Sequence, residues 1–264
     1  MTAVWATRFA HSARTVARTL VGDVVAFALP LHCAACGTAL GASERGVICG
    51  PCWTRCALLP APQCDRCGHP RAAGGGRCTW CDLLPPYVRA ARSWCWVPER
   101  AGGEIVHALK YRGWRATAGG MAERMARLAW PRDVVAERSM LVPVPLAARR
   151  QRERGFNQSA LLADALAAHW SVPVRCDVVA RSSSSASQTR LTPEERRRNV
   201  YGCFAAPESA RAELRGAHVV LVDDVVTTAA TLNACAAALL DGGARIVSYV
   251  TFGRARASGD RFAS

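Results

Sequence analysis

Two adjacent carboxylates, Asp223 and Asp224, close the apolar run Val219–Val222, and a turn of small and hydroxyl residues follows: Thr227, Thr228, Ala229, Ala230 and Thr231. Four apolar residues in a row predict a buried parallel strand. In open α/β sheets ligands bind beyond the carboxyl ends of such strands. A helix expected to begin near Leu232 would offer free backbone N–H groups and the positive end of its dipole to a phosphate. The carboxylates can accept hydrogen bonds from vicinal hydroxyls of a sugar. The three features together describe a site for a phosphorylated sugar.

A second constellation follows the expected strand Leu141–Pro145. Arg149, Arg150, Arg152 and Arg154 precede the turn Gly155-Phe156-Asn157-Gln158. Arginine binds phosphate oxygens bidentately, and a glycine turn adds backbone donors. Lys110, in Lys110-Tyr111-Arg112-Gly113, is the one lysine among 34 basic residues. No spacing suggests a Ser/His/Asp or Cys/His triad, and no nucleobase pocket is recognisable.

The third group is cysteine. Eight of the 13 cysteines form four C-x-x-C pairs: Cys33/Cys36, Cys49/Cys52, Cys64/Cys67 and Cys78/Cys81. Within each half the gap between pairs is 12 or 10 residues. This is a repeated knuckle–hairpin–knuckle unit, the spacing of tetrahedral S4 zinc sites. Sequential sets (33, 36, 49, 52 and 64, 67, 78, 81) are the expectation, with cross-braced pairing the alternative, and Cys56, His32 and His69 lie close enough to compete. A segment this short and rich in Gly and Pro has little core, so metal binding supplies much of its folding energy. It can serve nucleic-acid or protein binding, or simply cap the next domain.

The elements that position these groups alternate. Ala90–Val97 reads as a strand, 103–109 and 116–130 as helices, a further helix reaches Trp170, Asp177–Ala180 is a short strand, and Arg245–Phe252 the last one. Strands alternating with helices imply a parallel sheet with crossover helices. Residues 181–199 are polar and rich in Ser and Arg. The organisation expected is an amphipathic N-terminal helix within 1–30 (Thr15–Leu29), a zinc module over 31–85 ending in a linker at Leu84–Pro86, an α/β domain over 86–253, and a disordered tail over 254–264. Membrane-surface attachment of the first helix is the minor alternative. The run Val24–Leu31 is too short to span a bilayer, so no transmembrane segment is expected. Cysteine knuckles in a chain without a secretory signal point to a reducing, cytoplasmic location. The net charge of +14 suits anionic partners, but a nearly lysine-free arginine excess fits compositional bias and is not in itself evidence for nucleic acid.

Val219–Thr231 closely resembles the phosphoribosyl-diphosphate (PRPP) signature of type I phosphoribosyltransferases: a hydrophobic strand, two acids, two apolar residues, two hydroxyl residues, Gly, any residue, Thr. The resemblance implies that Asp223 and Asp224 hold the ribose hydroxyls and that Thr227–Thr231 wrap the 5′-phosphate. One position departs, since Ala229 stands where the family usually has Gly. If that position requires positive φ, alanine costs about 1–2 kcal/mol there. The double cysteine repeat, Lys110-Tyr-x-Gly113, Pro143-Val-Pro145 through Gln158, and Gln188 with Arg196–Asn199 and Phe204 narrow the resemblance to the ComF family, over about residues 30–253. It implies a type I phosphoribosyltransferase-like parallel sheet with a hood, preceded by a small Cys-rich zinc ribbon module. By it, 146–158 is the pyrophosphate loop, with Arg149, Arg154, Gly155, Asn157 and Gln158 as binding residues. Residues 186–204 form the hood, and Lys110 approaches the diphosphate. Structural zinc and Mg²⁺ bound with PRPP are the implied cofactors. Two function classes follow: a PRPP-binding protein or phosphoribosyltransferase implicated in DNA uptake or use of external DNA, and a factor that binds single-stranded DNA and keeps a residual or regulatory sugar-phosphate site. Proteins of DNA uptake, or a helicase, are the implied partners.

Overall fold

The computed structural model describes residues 31–41, 44, 46–71, 78–181 and 203–256. The expected N-terminal helix, the expected hood apart from Cys203 and Phe204, and residues 257–264 lie outside the described residues.

In chain order the elements are α1 (Gly50–Thr54), β1 (Cys56–Leu58), a 3-10 turn (Thr79–Leu83), β2 (Val88–Glu99), α2 (Arg100–Tyr111), α3 (Thr117–Ala126), α4 (Arg132–Glu137), β3 (Arg138–Pro143), α5 (Ala148–Arg154), α6 (Gln158–Trp170), β4 (Ala180–Arg181), β5 (Phe204–Ala205), α7 (Arg211–Leu214), β6 (His218–Val226), α8 (Ala230–Asp241) and β7 (Ile246–Ala255). Five strands form one sheet in the order β1-β2-β7-β6-β3. The pairs β2/β7, β7/β6 and β6/β3 are parallel, as helical crossovers require. In this register Val222 lies opposite Pro143 on one side and Val250 on the other.

Val219–Val222 are completely buried, because both faces of the sheet are covered. The two-residue period sorts them. Val220 and Val222 pack with Ile105, Leu109, Met121 and Leu162 from α2, α3 and α6. Val219 and Leu221 pack with Leu232, Cys235 and Leu239 of α8 on the opposite face.

The cysteine module straddles the edge of this sheet. β1 joins it antiparallel, with Leu58 opposite Cys95. Cys33, Cys49 and Cys52 belong to the α2/α3/α6 core, whereas Cys64 and Cys67 belong to the α8 core. The eight thiols fall into the two sequential sets, each with all sulfurs within 4.8 Å of one another. Sγ–Sγ separations are 3.9 Å for Cys33/Cys52, 3.7 Å for Cys36/Cys49, 3.5 Å for Cys64/Cys81 and 3.4 Å for Cys67/Cys78. A zinc ion with Zn–S bonds of about 2.3 Å needs tetrahedral edges of about 3.8 Å, so both sets fit it. Cross-braced pairing is not what the clusters present. Cys56, His32 and His69 stand outside both sets; Cys56 instead donates its S–H to the carbonyl of Cys52.

The stretch read as a linker is packed. Leu84 is buried, and Arg66 donates through Nη2 to the carbonyls of Leu84 (3.1 Å) and Pro85 (2.6 Å). Arg92 of β2 donates to the carbonyl of Asp65 at 2.8 Å. The last strand also runs three residues past Phe252, to Ala255. Arg254, read from sequence as the start of a tail, is fully buried in it. Its guanidinium lies 4.3 Å above the Trp80 ring and donates to the carbonyl of Cys67 at 2.6 Å. Burial lowers its pKa to about 10, so the arginine stays charged at neutral pH. The sheet thus clasps the second knuckle pair with two arginines.

Candidate functional site

Both acids lie inside β6, which continues to Val226, at the carboxyl end of the buried apolar run. Asp223 Oδ1 accepts the Ser159 hydroxyl at 2.7 Å and the backbone N–H of Asp224 at 2.9 Å. Burial, and then the neighbouring charge of Asp224, push the Asp223 carboxyl up to about 7, against the lowering effect of the Ser159 hydrogen bond. Asp224 is buried and ion-paired with the Lys110 ammonium, which reaches it from the last turn of α2. The structure therefore places Lys110 on the acidic pair, where sequence reasoning aimed it at the diphosphate.

The turn after the acids ends in Ala229, whose φ of +59° and ψ of 3° are left-handed. Position 229 thus demands the backbone that glycine adopts freely, and alanine holds it at a cost of about 1–2 kcal/mol. Such strain persists where surrounding structure over-determines it and clusters at functional turns. Ala229 is also the N-cap of α8, which begins two residues before the expected Leu232, and no side chain caps it. The first-turn N–H groups are thus available to an anion, with the helix dipole behind them. Thr227, Thr228, Ala230 and Thr231 are exposed around this turn, while Ala229 is buried.

The arginine segment differs from the loop read over 146–158, because Ala148–Arg154 is helical. Arg149 is exposed and bound to Glu153 at 2.7 Å. Arg154 donates to Gln158 Oε1 at 2.9 Å, and its guanidinium lies 5.0 Å from the Tyr111 ring centre. Gly155 ends the helix with φ of +72°, a conformation glycine supplies without strain. Asn157 is the N-cap of α6: its Oδ1 accepts from the Ser159 N–H at 3.0 Å, and its Nδ2 donates to the Val144 carbonyl at 3.0 Å. Asn157 and Gln158 therefore have structural partners, and their placement sets Ser159 against Asp223. Phe156 is buried in the core with Arg115 4.8 Å from its ring centre.

Ser159 escaped sequence reasoning, since nothing local pairs it with an acid 64 positions away. At the foot of the expected hood, β4 and β5 pair antiparallel, with Arg181 opposite Phe204. The chain thus leaves and re-enters the described structure at one point. The α8 end of the site is tied to the cysteine module: Asn233 donates to the Leu83 carbonyl at 2.7 Å and accepts from the Tyr249 hydroxyl at 3.0 Å.

Comparison with known proteins bears on this arrangement. Residues 157–261 match the family model described as phosphoribosyl transferase domain, and residues 24–82 match the double zinc ribbon domain. The fold is that of a type I phosphoribosyltransferase with a zinc ribbon module fused to its sheet edge. The chain is 34% identical over 233 residues to the DNA utilization protein YhgH of Salmonella typhimurium, covering 83% of this chain and 95% of that protein. It is 31% identical over 229 residues to the protein of the same name from Escherichia coli strain K12, covering 83% and 95%. It is 38% identical over 93 residues to competence protein F of Haemophilus influenzae, covering 35% of this chain and 40% of that protein.

Proposed function

The chain belongs to the ComF family, and on that premise we propose that it binds PRPP with Mg²⁺ at Asp223, Asp224 and the 227–231 turn, in the service of DNA uptake or use of external DNA. One observation carries this reading: a left-handed turn at Ala229 joins an acidic pair, Asp224 buried and Asp223 half-buried, to an uncapped helix N-terminus. The acids would accept the ribose hydroxyls, and the first-turn N–H groups of α8 would hold the 5′-phosphate. Lys110 already engages Asp224, and Asp223 is the acceptor whose carboxyl is pushed up to about 7. If the ribosyl group is transferred, the carboxylates stabilise positive charge developing at C1′, and arginines of 149–154 stabilise the departing pyrophosphate. Carboxylate oxygens suit a hard cation. Both acids already have protein partners, so Mg²⁺ would come with the diphosphate and neutralise its charge. Two sets of four thiolates fit structural zinc in the reducing cytoplasm.

The second reading is single-stranded DNA binding with the sugar-phosphate site regulatory. The exposed arginines of α5 favour it, since Arg150 and Arg152 sit on the solvent face. A host strain whose own copy carries Asp223→Ala and Asp224→Ala tests the first reading. Loss of growth on, or transformation by, external DNA supports it. Full retention contradicts a role for the sugar-phosphate site in DNA use.

A further inference from the structure

Arg254 of β7 and Arg92 of β2 are buried, at 0% and 8% exposure, and among the described residues neither forms an ion pair with a carboxylate. Arg254 donates through Nη2 to the Cys67 carbonyl at 2.6 Å and through Nε to the Ser93 hydroxyl at 3.3 Å. Its Nη1 has no hydrogen-bond partner among the described residues. Arg92 donates only to carbonyls, those of Asp65, Arg66, Ala91 and Ala129. The exposed Asp65 carboxylate acts on Arg92 from beyond ion-pair range. A charge taken out of water is costly unless an opposite charge meets it. The thiols supply that charge: Cys67 and Cys78 act on Arg254, and Cys67 and Cys64 on Arg92. Four thiolates on one Zn²⁺ leave two negative charges in excess. The chain is also shaped for this approach. Gly68 follows Cys67 with φ of +65°, and a Cβ there would lie 2.6 Å from the Ala91 carbonyl oxygen and 3.3 Å from Arg92 Cδ.

We propose that Arg254 and Arg92, carried by the sheet of the α/β domain, are the counter-charges of the second zinc centre and set how tightly Cys64, Cys67, Cys78 and Cys81 hold their metal. The first centre lacks such burial. Cys36 is exposed there, and the arginines that reach it are exposed too: Arg55 Nη2 lies 3.2 Å from Cys52 Sγ, and Arg112 Nη1 lies 3.3 Å from the Ala34 carbonyl. Water and salt screen those charges. The two zinc ions should therefore leave separately, the second centre's last. The proposal is independent of PRPP binding.

Zinc release from the full two-zinc chain into a chromogenic chelator, counted in equivalents, tests it. The natural protein should release one equivalent quickly and one slowly. Arg254→Met should weaken retention of the slow equivalent by about 10- to 100-fold, the scale of a lost outer-shell partner, and leave the fast one unchanged. Arg254→Lys, which keeps the charge, should recover most of that loss. Arg55→Gln should move only the fast equivalent, by no more than about fivefold. The sulfur-to-metal charge-transfer band of the cobalt-loaded variants checks that all four thiolates still bind. If Arg254→Met does not fold, Arg92→Gln carries the same test on the slow equivalent. A single release phase for both ions, slow release unchanged in Arg254→Met or Arg92→Gln, or Arg254→Lys no better than Arg254→Met would overturn the proposal. The last result would leave packing on Trp80, and not charge, as the role of Arg254.

Discussion

Ser159 donates its hydroxyl to Oδ1 of Asp223 at 2.7 Å, joining the start of α6 to the end of β6. This bond aims one carboxylate oxygen, and it opposes the burial that raises the Asp223 pKa.

The raised pKa sets a pH dependence. With a folded-state value near 7, above the ordinary carboxylate value, Asp223 holds its proton more tightly in the folded chain. Its contribution to stability is full below the unfolded pKa and is lost as pH rises through about 7. Ligand binding runs the other way, since ribose hydroxyls need the ionised acceptor. PRPP affinity should rise between pH 6 and 8, by at most about tenfold per pH unit for one proton. Ser159→Ala should move the midpoint to higher pH, and Ser159→Thr should restore it. Calorimetric titration across pH checks both, and a flat profile would remove Asp223 from the binding step.

Lys110 and Asp224 are a largely buried ion pair, with the lysine side chain 20% exposed and the aspartate 4%. Lys110→Met should cost about 3 kcal/mol, because it strands a buried carboxylate. Combining it with Asp224→Asn should recover much of that loss. Urea denaturation of the two singles and the double measures the coupling, and additive losses would mean that the pair does not interact.

Ala229 can be relieved. Left-handed alanine costs about 1–2 kcal/mol, and glycine carries about 0.5–1 kcal/mol of extra chain entropy. Ala229→Gly should therefore leave stability unchanged or raise it by up to about 1.5 kcal/mol, without weakening PRPP binding. A lower urea midpoint would show that the buried methyl group contributes more than the backbone strain costs.

Zinc removal should reach past the ribbons. The cysteine sets belong to cores on both faces of the sheet, and Asn233 ties α8 to Leu83. Chelation should abolish PRPP binding together with the ribbon fold, followed by hydrogen exchange over α8 and β7. Loss of protection confined to residues 33–81 would make the ribbons an independent appendage.

Much of this was legible in sequence because it is local. Val219–Val222 with Asp223 and Asp224 reads as a buried strand ending in acids, and four C-x-x-C pairs read as two S4 sites. The turn at residue 229 does require positive φ, the condition under which alanine is strained there. What escaped is long-range. No periodicity could bring Lys110 to Asp224, or Ser159 to Asp223. Charge misled at Arg254, where an arginine near the end of the chain reads as a solvated tail; stacking on Trp80 and a carbonyl of the second knuckle pair let it be buried. The family resemblance implied a loop over 146–158, whereas Ala148–Arg154 is helical, with helix-forming residues throughout and a glycine stop at 155.

Calorimetric titration of the zinc-loaded chain with PRPP and Mg²⁺ decides whether the sugar-phosphate site works. Micromolar binding by the natural protein, abolished when Asp223→Ala and Asp224→Ala are combined in a chain that keeps its fold, is the predicted result. No binding by the natural protein or by Ala229→Gly, or binding indifferent to the loss of both acids, would contradict it.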